Sequence, residues 1–142
     1  MEFIGLQNGL TIVNGLCLAF FAVLFLQSGS DKVIDWKGNL SWLEGHFKGT
    51  PLANVVPLLL GAITITELIA GVASAVGVGE VLFSASKDIA SFGLLVCLVN
   101  ILLLFAGQRI AKDYEGAAVL VNYFLLAIVS LLLLQIRIPN CH

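Results

Sequence analysis

Four runs of almost unbroken apolar residues divide this chain, at about 8–28, 55–79, 89–108 and 117–136, with short polar connectors between them. Each run is close to the ~20 residues a helix needs to cross ~30 Å of hydrocarbon. In that medium the backbone N–H and C=O groups find no water, so a spanning segment closes its own hydrogen bonds as a helix. The layout predicts an all-α integral membrane four-helix bundle, a single domain over residues 1–142.

The first connector, residues 31–48, has a pattern of its own. Trp36, Leu40, Leu43 and Phe47 fall at i, i+4, i+7 and i+11, a single helical stripe. This predicts an amphipathic interfacial helix between the first and second spans, lying on the membrane or tucked under the bundle. Asn39 is its candidate N-cap. Trp42 and the lysines would flank the stripe at headgroup depth. Gly49, Thr50 and Pro51 end the segment.

Inside the spans the polar residues are few. The second span opens on Pro57, where a missing N–H is harmless. It then places Gly61, Thr64, Glu67, Gly71 and Ser74 on one face, an arrangement that lets a neighbouring helix approach closely. Glu67 is a lone carboxylate near the middle of its apolar run, and an ionisable group there is expensive to keep. Counting ~1.5 Å of rise per residue, Asn14 and Asn100 are expected within a turn or two of its depth. Asn122 and Tyr123 fall nearer the basic connectors. These five residues are the expected inward-facing polar cluster. Glu67 then has two readings: a working carboxylate that relays protons or binds a quinone head group, or a structural lock hydrogen-bonded to Asn14 or Asn100.

Composition sharpens the class. Of 142 residues, 59% are hydrophobic and only 11% charged, with a mean hydropathy of +1.03. Soluble domains average about 25% charged residues, and no stretch here is long enough for a second, polar domain. A net charge of −2 gives no electrostatic case for nucleic acid. Basic residues divide two against five: Lys87 and Arg137 with the termini and second connector, Lys32, Lys37, Lys48, Arg109 and Lys112 on the first and third connectors. The positive-inside rule therefore expects cytoplasmic first and third connectors and both termini outside. The start of the chain lacks a basic n-region, so the first helix reads as retained rather than cleaved. Cys17, Cys97 and Cys141 form no Cys-x-x-Cys or ordinary metal spacing, so no metal site is expected. His46 and His142 lie in a connector and at the last position, so no span offers an axial haem ligand.

Two charged groups rim the connectors. Asp31, Lys32 and Asp35, beside Gly29 and Trp36, form a collar, and Arg109, Lys112, Asp113 and Glu115 form its counterpart. They read either as a face for an anionic ligand or protein partner, or as an interfacial cluster with Lys32 snorkelling. Pairing between the two groups would close that end of the bundle.

Several stretches resemble the DoxX-like family of small four-helix membrane proteins. Phe25-Leu26-Gln27-Ser28-Gly29-Ser30-Asp31-Lys32 is similar to the family's apolar run closing in Gly-x-x-Lys. The Pro57-led helix with Glu67 and the later glycines Gly71 to Gly77 resembles its second helix. Gly107-Gln108-Arg109-Ile110-Ala111-Lys112-Asp113-Tyr114 looks like a version found in bacterial relatives. The resemblance covers nearly the whole chain in layout and implies the bacterial cytoplasmic membrane and a redox neighbourhood. Similar members include a subunit associated with thiosulfate:quinone oxidoreduction and others linked to thiol or oxidative-stress complexes. It implies an accessory or anchoring subunit of a redox-linked complex, with a protein partner or a second copy. Alternatives are a quinone-interacting oxidoreductase subunit, quinone being the one cofactor entertained, and, less favoured, a small oligomeric channel.

Overall fold

The computed structural model describes residues 2–136, with side chains from Ile4 onward; the expectations placed on Arg137, Cys141 and His142 fall outside the described residues. Helix α1 runs Glu2–Ile34, α2 Trp36–His46, α3 Val56–Phe83, α4 Asp88–Ile110 and α5 Tyr114–Gln135, with a single 3₁₀ turn, Ala53–Val55, leading into α3. All but α2 are long and apolar enough to cross a membrane, and the chain is a multi-pass membrane protein.

The spans run alternately up and down, and glycines set their register. A Cβ at Gly29 would come within 2.8 Å of the Leu68 side chain, and one at Gly71 within 2.8 Å of the Leu26 backbone nitrogen. Gly15 faces Leu82 at the other end of the same seam. Between α3 and α4, Gly77 abuts the Ala90 backbone and Gly93 that of Ser74. Lipid tails are as apolar as leucine, so burying leucine against leucine brings spans together only weakly. Close backbone approach at small residues and interhelical hydrogen bonds do more. The seam between α1 and α5 is different. It is filled by rings: Phe20 and Tyr123 with centroids 6.2 Å apart, and Phe20 edge-on to Phe21 at 5.4 Å.

α1 continues unbroken past the end of its apolar run and stops only at Asp35. There the Asp35 carboxylate accepts from the Gly38 N–H at 3.1 Å and caps α2. Asn39 is not the N-cap. Its amide donates backwards to the Asp35 carbonyl at 2.8 Å and the Asp31 carbonyl at 3.4 Å, adding a second donor to carbonyls that already accept from the Asn39 and Asp35 N–H groups. Asp35 wins the cap because it immediately precedes the apolar stripe, so the helix can begin with Trp36 already facing inward.

That stripe seats α2 across one end of the bundle. Trp36 lies against Gly61 of α3 and the buried Phe47 against Gly107 of α4, while Trp42 points out. The third connector is a tight reversal at the same end. The Asp113 N–H bonds the Gln108 carbonyl and the Lys112 N–H that of Arg109, with Lys112 left-handed at φ 59°. This is a Schellman closure with lysine where glycine is usual. At the far end, Glu80 caps α4 by accepting from the Asp88 and Ala90 N–H groups, and Lys87 Nζ donates to the Leu134 carbonyl at 2.8 Å.

Candidate functional site

Glu67 is buried, at 1% exposure, and it is paired. Its Oε2 accepts from Lys32 Nζ at 2.8 Å, and its Oε1 accepts from the Ser28 hydroxyl at 3.0 Å. Lys32 also donates to Ser28 Oγ at 2.7 Å and to the Ser28 carbonyl at 3.3 Å. An ammonium has three protons, and each has an acceptor within this triad. The local reason is simple. Ser28 and Lys32 are four residues apart, one turn on the same face of α1. Gly29 beside them lets α3 come close enough for the Glu67 side chain to meet both. Lys32 also sits in the last turn of α1, where a cation complements the helix dipole.

The seam register explains the depth. Gly29 opposite Leu68 and Leu26 opposite Gly71 place Glu67 level with Ser30. The first turns of α3 stand beside α2, as the contact of Trp36 with Gly61 shows. Glu67 is thus level with the last turns of α1 but with the middle of α4, where Asn100 stands midway between Asp88 and Ile110.

The expected polar cluster does not assemble. Extending the same register puts Asn14 level with Phe83, roughly 24 Å from Glu67 along the axis at ~1.5 Å per residue. Asn14 is buried there, with its Oδ1 lacking a hydrogen-bond partner among the described residues. Asn100 is the one asparagine that reaches the right level: with Gly77 against Ala90 and Gly93 against Ser74, it falls opposite Glu67. It is wholly buried, yet neither Nδ2 nor Oδ1 has a partner among the described residues. Asn122 faces outward and Tyr123 lines the ring-filled seam with Phe20. Five residues expected together occupy four different environments.

The rim residues also divide. Gly29 is buried in the seam between α1 and α3, and Lys32 turns inward instead of snorkelling. Asp35 is a helix cap, Trp36 an inward anchor of α2, and Asp31 alone of that collar is exposed with its side chain unengaged. On the other connector, the Arg109 guanidinium lies over the Tyr114 ring at 4.7 Å, Lys112 occupies the turn, and the Asp113 side chain caps α5 through the Gly116 N–H at 2.9 Å.

The two connectors do meet, through a residue that the sequence reading had set aside. His46 Nε2 lies 2.8 Å from Gln108 Oε1 and 3.8 Å from Asp113 Oδ2, with its ring stacked on Trp42 at 4.6 Å. The signal available was adjacency: His46 precedes Phe47, the last residue of the inward stripe, so it must lie near whatever Phe47 touches. Ser28 was missed in the same way, although it stands one turn before the lysine at the end of the first apolar run.

Two further groups complete the inventory. Cys97 Sγ and Ser74 Oγ are 3.5 Å apart in the core, and Cys17, near the Gly15–Leu82 end, is unbonded to it. Two outward grooves have wholly apolar linings, one between α3 and α4 floored by Leu68, Val72 and Phe92, the other between α4 and α5 with Leu102 and Phe124. Among the described residues, no three His, Cys, Asp or Glu side chains converge. The chemistry on hand is thus a closed, charge-neutral triad joining α1 to α3, with an unpartnered amide level with it on α4. Comparison with protein-family models, curated proteins and solved structures finds no match for this chain.

Proposed function

We propose that this chain is an accessory or anchoring subunit of a redox-linked membrane complex, with its connector end in the cytoplasm and both termini outside. The observation that carries the non-catalytic part is the closed triad. Both oxygens of Glu67 accept from α1, and the remaining Lys32 protons go to Ser28 on α1 itself, so the one acid buried among the described residues is committed to holding spans together. The connector end supplies a docking face. α2 and the turn after it rest on the bundle through Trp36 and Phe47, while Trp42, Lys37, Glu44 and Lys48 stand exposed. Five of the seven basic residues lie at that end, the charge bias behind the orientation. The redox link and the bacterial cytoplasmic membrane rest on the resemblance to DoxX-like proteins.

The test is gentle native purification of tagged protein, followed by mass spectrometry of every polypeptide and lipid-like molecule that accompanies it. A stoichiometric redox enzyme, lost when Trp42 and Lys37 are replaced by alanine, supports the reading. A protein that arrives with phospholipid alone sinks it.

One observation favours a second reading, that of a quinone-interacting subunit. Asn100 offers a buried donor and acceptor level with Glu67 and uses neither among the described residues. A quinone carbonyl is an acceptor that such an amide could bind. On this reading quinone co-purifies and is lost in Asn100→Leu. Full retention of quinone in that variant, or no quinone in the parent, rules it out.

A further inference from the structure

Ala118, Asn122, Leu125, Val129 and Leu132 are exposed along one side of α5, spaced by fours and threes. The spacing alone says little, since any outward helix face has it. The matching outward stripes of α3, from Leu58 to Val76, and of α4, from Phe92 to Ala106, are apolar throughout. Asn122 breaks the pattern. It stands about two turns inside the span with two N–H donors and a carbonyl acceptor, and hydrocarbon satisfies none of them. The other outward amides of the described spans stand nearer the span ends: Gln7 and Asn8 at the start of α1, Gln135 at the end of α5, and Gln27 toward the end of α1. The side chain of Gln27 is longer and it lies five residues before Lys32, within reach of the headgroups at the connector end.

We infer that this face of α5 is the contact surface of a parallel homodimer, in which Asn122 of each copy hydrogen-bonds the partner's Asn122 across a two-fold axis normal to the membrane. An amide is its own complement, donor to acceptor and acceptor to donor, so a second copy satisfies it without any other chemistry. Two-fold symmetry sets the same residue opposite itself. Copies inserted the same way in one bilayer are parallel by necessity. In heptad terms Asn122 and Val129 take the a positions and Leu125 and Leu132 the d positions. A β-branched residue at a with leucine at d favours two strands, and a single asparagine at a fixes their register. Ala118 lets the two backbones approach at the connector end. α5 is also the span least covered within its own bundle.

The test is a single-cysteine scan in native membranes, in a background with Cys17, Cys97 and Cys141 replaced by alanine. It is read as a cross-linked band at twice the 15.1 kDa chain mass. Strong links are expected at positions 118, 122, 125 and 129, with none at Val72 or Phe92. Subunit counting in lipid nanodiscs should give two copies, and Asn122→Leu should lower the association constant by about three- to twentyfold, the range measured for interhelical polar bonds in membranes. Because Asn122 faces outward, the variant should melt as the parent monomer does, which separates lost pairing from lost folding. A monomer at every protein-to-lipid ratio overturns the inference. So do links at Val72 or Phe92 instead, a link from position 122 to a different polypeptide, or an unchanged dimer in Asn122→Leu.

Discussion

α1 meets two of its long neighbours, α3 and α5, by opposite means. Against α3 it presents Gly15, Leu26 and Gly29, and the backbones approach until a single added Cβ would touch main-chain atoms. The Ser28–Lys32–Glu67 triad then bolts the closest part of that seam. Against α5 it presents Phe20 and Phe21, and rings rather than backbones bridge the gap to Tyr123. The difference shows what each seam tolerates. A glycine seam depends on the absence of atoms and fails when any are added. A ring-filled seam has soft contacts, each worth little, and can be repacked.

Five substitutions in detergent-solubilised protein would break or sharpen that contrast. The largest effect is expected from Lys32→Met, which leaves a buried carboxylate with Ser28 as its only partner; breaking a buried pair this way costs about 3–5 kcal/mol. Adding Glu67→Leu should restore most of the lost melting temperature, since an apolar pair of similar size is often neutral or better. If Lys32→Met melts like the parent, the triad does not hold the seam. Next is Gly71→Val, which puts side-chain atoms where the Leu26 backbone lies and should cost about 1–3 kcal/mol as overpacking. Thermal melting that is unaffected would mean the seam can open without penalty. At the other seam, Phe20→Leu forfeits two ring contacts, and aromatic pairs are worth about 0.5–1.5 kcal/mol beyond area. A loss as large as that of Lys32→Met would erase the distinction between seams. Tyr123→Phe keeps the ring and should fall within about 0.5 kcal/mol, the usual span for changes that break no named interaction. A larger drop would reveal that the hydroxyl, rather than the ring, serves the seam.

Much of the architecture was readable from the chain because hydrocarbon leaves so few options. Spans near 55–79 and 89–108 match α3 and α4 closely, since lipid demands a helix wherever apolar residues run long enough. The inward face through Thr64, Glu67, Gly71 and Ser74 was equally plain, as helical spacing decides it. The site was harder to read, and particular residues show why. Lys32 looked like a snorkelling cation because sequence gives distance from the end of a run, not what the neighbouring helix offers. That Glu67 meets the last turns of α1 was hidden because it depends on how far α3 slides along α1, which is set by glycine contacts between elements. Asn14 and Asn100 looked equivalent until that slide separated them. His46 looked idle because its partner Gln108 is 62 residues away in the chain.

The seat of α2 bears on how the protein is made. The chain emerges from its N-terminus, so α2 is complete before either surface it rests on exists. Gly61 arrives with the start of the second span, but Gly107, beneath Phe47, arrives only as the third span ends. Until then Phe47, at the end of the stripe, has no seat on its own chain, and the membrane surface is the natural place to wait. Closure of the connector end is therefore a late step, reached after three of the four spans are in place. A chain truncated before Gly107 should leave α2 open to protease while its first two spans stay protected.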